Sequence, residues 1–219
     1  MKKVLVALTG LMLFSSTALA SPLTDYSQGK ASVDLTWRNT ENSISDVTIA
    51  FPPYDKKYNL DAGITLGLGN NFAVQYRNFE PESASTGFVW FGVTYPDTAK
   101  FTFNEYNLLY KLDKNISVFT GLVTAKGKNV YAGSSDTKNF WQFGVVGSAP
   151  IADKTTLWGS MGTGADLFNW EAGVSYEFSP GWEFNVNYRT IQSKKLHWPP
   201  YPTDLNAEGL GFGVTYKFK

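Results

Sequence analysis

The 219-residue chain has no cysteine and carries 19 basic and 19 acidic side chains, which excludes a disulfide-stapled scaffold and the basic stripe that nucleic acids require. Aromatic residues make up 16% of the chain, glycine occurs 20 times and the mean hydropathy is −0.20. Such a composition dilutes apolar residues with polar ones and does not gather them into helical spans.

The first element is an address. Lys2 and Lys3 precede a short apolar run from Val4 to Phe14, and Ala18-Leu19-Ala20 precedes Ser21. A basic start, an apolar run too short to span a bilayer and an A-x-A site predict a secretory signal peptide over 1–20, cleaved after Ala20. Residues 21–219 are then one domain, since no linker or low-complexity tract divides them.

Alternation with period two follows almost at once. In 29–38, Ala31, Val33, Leu35 and Trp37 share one face, and Ser32, Asp34, Thr36 and Arg38 the other. In 58–69, Leu60, Ile64, Leu66 and Leu68 oppose Asn59, Asp61 and Thr65. Asn70-Asn71 suits a tight turn, and 72–79 returns with Phe72, Val74 and Tyr76 against Gln75 and Arg77. A long segment, 80–102, intervenes before a strand at 103–112, with Tyr106, Leu108 and Tyr110 opposite Glu105, Asn107 and Lys111. After a turn at 113–115, residues 116–125 are apolar on both faces and show no register. Strands at 139–149 and 155–162 flank a turn at 150–154; the second also lacks a readable register. The hairpin 170–189 is the clearest. Trp170, Val174, Tyr176 and Phe178 alternate with Glu171 and Glu177, then Trp182, Phe184, Val186 and Tyr188 with Glu183, Asn185, Asn187 and Arg189. The last strand, 207–218, sets Leu210, Phe212, Val214, Tyr216 and Phe218 against Gly209, Gly211, Gly213, Thr215 and Lys217.

About ten strands result, or eight if the two unregistered segments are not strands. Their lengths suit tilted strands crossing a hydrocarbon layer. The turns at 70–71, 113–115, 150–154 and 179–181 are short, whereas the connections 39–57, 80–102, 126–138 and 190–206 are long; that at 163–168 is brief. Short turns on one rim and long loops on the other mark a membrane barrel. Trp37, Phe72, Tyr76, Tyr106, Tyr110, Trp170, Phe178, Trp182 and Tyr188 fall near strand ends on the apolar face, where a ring is buried and its polar atom stays wet. The expected fold is therefore all-β: a closed antiparallel up-and-down transmembrane barrel.

Gly213, Tyr216 and Phe218 resemble the C-terminal assembly signal of bacterial outer-membrane β-barrels, although Lys219 follows the final aromatic. With the signal peptide and the strand pattern, the whole mature chain resembles the small outer-membrane barrels, loosely of the opacity-protein type. The resemblance implies residence in the bacterial outer membrane, with its lipids and the barrel-assembly machinery as partners. Adhesins, channels, lipid-modifying enzymes and barrels of no known activity share this scaffold, so it does not choose a function.

The inward face carries Asp34, Arg38, Asp61, Arg77, Glu105, Lys111, Glu171, Glu177, Glu183 and Arg189. Buried ions need partners, so the mixed signs predict a salt-bridged filling of a narrow lumen. The alternative is a polar lining for a narrow passive channel. The lone histidine, His197, sits among prolines with no adjacent serine motif and is read as a loop residue. No catalytic residue, metal ligand or cofactor site is expected. Phe88–Tyr95 and Trp198–Pro202 are unusually apolar for loop tips. They either pack at the barrel mouth or offer Trp90, Trp198 and Tyr201 to an extracellular ligand or surface partner. The expectation is a monomeric, non-enzymatic barrel with a structural or surface-interaction role.

Overall fold

A computed structural model describes residues 22–46, 54–90, 93–129, 135–198 and 201–218. The predicted signal peptide and its cleavage after Ala20 lie outside them. The strands are β1 (Ala31–Asp46), β2 (Lys57–Gly69), β3 (Phe72–Phe79), β4 (Thr86–Trp90), β5 (Val93–Asp97), β6 (Ala99–Asp113), β7 (Ile116–Asn129), β8 (Ser135–Ala152), β9 (Thr155–Thr163), β10 (Leu167–Ser179), β11 (Trp182–Trp198) and β12 (Tyr201–Phe218). Ten of them close an antiparallel barrel in the order β1-β12-β11-β10-β9-β8-β7-β6-β3-β2, while β4 and β5 pair only with each other. Closure leaves no free edge, because Ala31 pairs with both Phe218 and Leu66.

The short turns are where the residues allow them. Asn70 and Asn71 take φ of 51° and 67°, the left-handed pair of a two-residue hairpin. Lys154 and Gly181 supply positive φ at two others. The turn expected at 150–154 is tighter than its residues suggest: β8 runs through a bulge at Pro150 to Ala152. A proline lacks a donor, and the bulge absorbs that loss.

All four expected long loops contain strand. β1 continues to Asp46, β7 and β8 extend across most of 126–138, and β11 and β12 meet at 198–201. The fourth, 80–102, contains the β4–β5 hairpin, which pairs Trp90 with Val93, and the first residues of β6. The extensions obey the same period-two rule with its sense reversed. On the lower part of β12, Leu210, Phe212 and Val214 face out and Gly211, Gly213 and Thr215 face in. Higher up, Asp204, Asn206 and Glu208 face out and Leu205 and Ala207 are buried inside. β6 reverses in the same way, from Tyr106, Leu108 and Tyr110 outside to Phe101 and Phe103 inside. An apolar exterior suits lipid and a polar exterior with an apolar core suits water, so each wall passes from one solvent to the other along its length.

The outer aromatic residues mark that passage. Trp37, Tyr58, Tyr76, Tyr106 and Trp141 are the last apolar outward residues of their strands before the polar collar, and all are exposed. Phe72, Phe178, Trp182 and Phe218 border the short-turn rim. Tyr110 packs at a tilt against Phe72 and Tyr216 against Trp182, with centroids 4.9 and 4.6 Å apart.

Strands 116–125 and 155–162 acquire their register from neighbours. Phe119, Gly121 and Val123 point inward, as do Thr156 and Trp158. On the long-loop rim, Asp166 accepts hydrogen bonds from Lys138 at 3.0 Å and is paired with Lys195 at 3.1 Å. These bonds, Lys138 first, hold its carboxyl below the ordinary aspartate range. A lowered folded pKa gives stability that is present above the unfolded value, about 4, and lost as pH falls through the folded one. Hydrogen-exchange protection around Ser193–Leu196, where a bulge shifts the register, should therefore fall below about pH 4 in the native protein and change less with pH in Asp166→Asn.

Candidate functional site

The interior is stacked in three layers, each dictated by which inward residues the strands bring to one height. At the short-turn rim the chain preceding β1 folds into the barrel mouth. Leu23 and Tyr26 are buried against Ala73, Leu109 and Phe119. Gly67 and Gly69 donate backbone hydrogen bonds to Lys30 and Tyr26. A Cβ on Gly67 would lie 2.4 Å from the Ser27 carbonyl oxygen, so this close approach requires glycine.

Above this floor lies the ion layer. The Asp61 carboxylate accepts from Arg38 at 3.0 Å, Arg77 at 3.1 Å and Arg189 at 2.9 Å, all at one oxygen. Glu171 accepts from Arg38 at 2.9 Å and from Arg77 at 2.7 Å, one at each oxygen. Arg189 also pairs with Glu105. Three guanidiniums and three carboxylates thus close on one another, neutral as a group. They come from β1, β2, β3, β6, β10 and β11, so the cluster ties opposite walls together across the lumen.

Six of the ten inward charges meet in this cluster; the other four do not. Asp34 accepts from Thr215 at 2.7 Å, at the end of a chain running from Trp158 through Ser175 and Asn185. Glu183 pairs with Lys217 at 2.9 Å. Glu177 accepts from the Gly181 backbone at 3.1 Å and so closes the β10–β11 turn. Lys111 lies near the β6–β7 turn, opposite Ser117.

An amide ladder lay hidden in the sequence. Asn107 donates to Gln75, Gln142 to Asn107 and Asn169 to Gln142, at 3.2, 2.8 and 2.7 Å. Single amides on separate strands give no motif; only closure aligns them. Between the floor and the ion layer a cavity of about 70 Å³ remains, lined by Pro22, Asp34, Arg77, Glu171, Asn187 and Arg189 among others.

The third layer is apolar. Ile44, Phe79, Phe101, Phe103, Val123, Phe140, Leu167, Ile191, Leu196 and Leu205 form one buried cluster inside the upper barrel. Phe79 is its base: its ring receives Arg189 at 5.4 Å and Arg38 at 5.8 Å, a placement that favours the cations electrostatically.

At the upper rim, the antiparallel order puts the β3–β6 connection, with hairpin β4–β5, at the same end as the β11–β12 junction. Trp90, Trp198 and Tyr201 are strand residues by backbone. Their side chains, that of His197, and Pro199-Pro200 lie outside the described set. Tyr216 and Phe218 face outward on β12, ring against ring at 4.7 Å. Gly213 faces inward, where a Cβ would meet the Leu35 carbonyl oxygen at 2.2 Å.

A family model described as an outer membrane protein beta-barrel domain matches residues 6–218. Among solved structures, the outer membrane protease OmpT of Escherichia coli is 8% identical with a TM-score of 0.59, the match covering 87% of this chain and 97% of that one. Neisserial surface protein A is 16% identical, with a TM-score of 0.45 and coverage of 87% and 100%. Ail, the attachment invasion locus protein of Yersinia pestis, is 11% identical, with a TM-score of 0.42 and coverage of 86% and 99%. No curated protein matches the sequence. The likeness to OmpT is a likeness of fold.

Proposed function

Because the chain belongs to the outer membrane β-barrel domain family and so to the bacterial outer membrane, we propose that it is a non-enzymatic, non-conducting barrel that works through its wall and its long-loop rim. The observation that carries this reading is the triple closure of the lumen. An N-terminal floor, a neutral ion layer and an apolar plug lie in series. Water and small ions would have to cross a dry aromatic layer and then break paired charges, and either step is costly. The long-loop rim faces the cell exterior in this reading, as long loops do in outer-membrane barrels, and Trp90, Trp198 and Tyr201 are its candidate anchors for a surface partner.

Planar-bilayer recording tests the closure. The native protein should show no stable openings, and a variant lacking residues 22–27 should stay silent as well, because the upper plug remains. Stable openings of the native protein that change in Arg77→Gln would establish the second reading, a narrow passive channel. The polar cavity beneath the ion layer is the feature that favours it.

The last strand carries the proposed assembly signal toward the barrel-assembly machinery. Tyr216→Ala and Phe218→Ala should slow membrane insertion, because both rings lie on the outward face of the closing strand. Lys217→Ala should insert at nearly the native rate and lose stability afterwards, since its ammonium is the partner of buried Glu183. The fraction resisting heat on unboiled gels over time separates the two effects.

A further inference from the structure

The charges inside the lumen do not quite balance. Arg38, Arg77 and Arg189 match Asp61, Glu105 and Glu171, and Lys217 matches Glu183. Asp34 is left over, since among the described residues no ion pair includes it. Its Oδ1 accepts from Thr215 at 2.7 Å. Its Oδ2 lies beside Gly63, where an added Cβ would stand 3.7 Å away, and the side chain borders the cavity beneath the ion layer. Asn187 lines the same cavity, is only 4% exposed, and its Oδ1 has no hydrogen-bond partner. Gly173 and Gly211 flank Asn187 in register and keep the space open. A Cβ on Gly173 would lie 2.6 Å from the Asn187 Cβ, and one on Gly211 would lie 3.0 Å from its Oδ1. A carboxylate without a counter-ion and an amide oxygen without a donor thus border one hollow, and both are costly in a closed interior.

The chain itself can supply a cation at this point. Pro22, the first of the described residues, lines the cavity, and Leu23 after it is anchored in the floor. Cleavage after Ala20 leaves an α-amine on Ser21. Covalent geometry alone keeps that nitrogen within about 4 Å of the Pro22 nitrogen. An α-amine titrates near pH ~8, so it is an ammonium at neutral pH. An ammonium is about the size of a water molecule, and a cavity of about 70 Å³ has room for it. We propose that the α-ammonium of processed Ser21 occupies this cavity and pairs with the Asp34 carboxylate, with Asn187 Oδ1 as its second acceptor. The lumen charges are then even. In the unprocessed chain the nitrogen of residue 21 is a neutral amide and Asp34 stays unmatched. The N-terminal floor therefore seats fully only in the processed chain, and removal of the signal peptide locks the short-turn mouth. The proposal rests on cleavage after Ala20 and does not depend on whether the lumen conducts.

The test uses the full protein exported by cells and purified from membranes into detergent micelles. The mass of the mature chain should place its first residue at Ser21. Periodate cleaves the Cα–Cβ bond of an N-terminal serine whose amine is free and leaves an aldehyde, which the mass also reports. The folded native protein should react at least about tenfold more slowly than the same protein unfolded in urea. Asp34→Asn can keep the Thr215 hydrogen bond while it removes the charge, and should react about tenfold faster than the native protein. Asp34→Glu should stay protected. Phe103→Ala, which weakens the upper core, should keep the native rate. A mature chain that begins elsewhere would overturn the proposal. So would a folded native protein as reactive as the unfolded one, which would leave the Asp34 charge to an external cation. Protection unchanged in Asp34→Asn would overturn it as well, showing a terminus buried without this pairing.

Discussion

Asp61→Asn should destabilise the barrel by about 3–5 kcal/mol, the usual consequence of removing one partner from a buried ion cluster. One Asp61 oxygen is shared by three guanidiniums, and the whole layer is nearly dry. Without that charge the cluster holds three cations against Glu105 and Glu171. The isosteric amide keeps the volume, so the loss is electrostatic and not a packing defect. A second substitution sharpens the test. In Asp61→Asn/Arg77→Gln the charges balance again: Arg38 keeps Glu171 and Arg189 keeps Glu105. The double variant should therefore be more stable than Asp61→Asn alone, even though it has lost more bonds. Unfolding in urea from lipid vesicles measures both. A double variant no more stable than the single would mean that Asp61 acts through its local geometry and not through the charge balance.

This cluster also shows how far the sequence can be read. Arg38, Asp61, Arg77, Glu105, Glu171 and Arg189 were each legible as inward charges, because each alternates with apolar neighbours on a strand facing lipid. Their convergence was not legible. It depends on strand stagger around a closed barrel, which no local pattern encodes. The barrel itself was readable, with ten strands and closure, for the same reason: a lipid-facing wall writes its alternation plainly. Residues 39–46 show the opposite case. Asn39, Glu41, Ser43 and Ser45 face out, and Ile44 is the single apolar residue turned inward. Read alone, the segment is a polar loop. The partners that make it a strand, Leu205 and Ala207, lie on the far side of the sequence. The amide ladder and the N-terminal floor were invisible for a related reason. Asn107 and Gln142 have no charge to flag them, and Leu23 and Tyr26 stand in a short stretch with no periodicity.

The reversal of faces itself makes the second large prediction. Phe103→Ala should cost about 3–5 kcal/mol, the range for deleting a fully buried phenyl ring. Phe103 is inaccessible to solvent, with Phe79 and Phe101 each 6.4 Å away by ring centroid. Its strand neighbour Thr102 faces outward above the lipid band, and Thr102→Ala should change stability by no more than about 0.5 kcal/mol. If the upper strands were loops above a membrane barrel, as their composition suggests, both substitutions would be nearly silent. The loss should also be local. With Phe103→Ala, amides of Ala99–Phe103 and the facing residues Ala125–Asn129 should exchange faster, while Tyr106–Leu112, held in the lipid band, should keep their protection. The reason is that two solvents stabilise the two halves of one strand. Lipid forces the lower backbone to stay hydrogen-bonded whatever its interior holds. The upper wall stands in water and depends on its aromatic core to stay closed. Uniformly faster exchange along the whole of β6 would show instead that the plug and the membrane band form one cooperative unit.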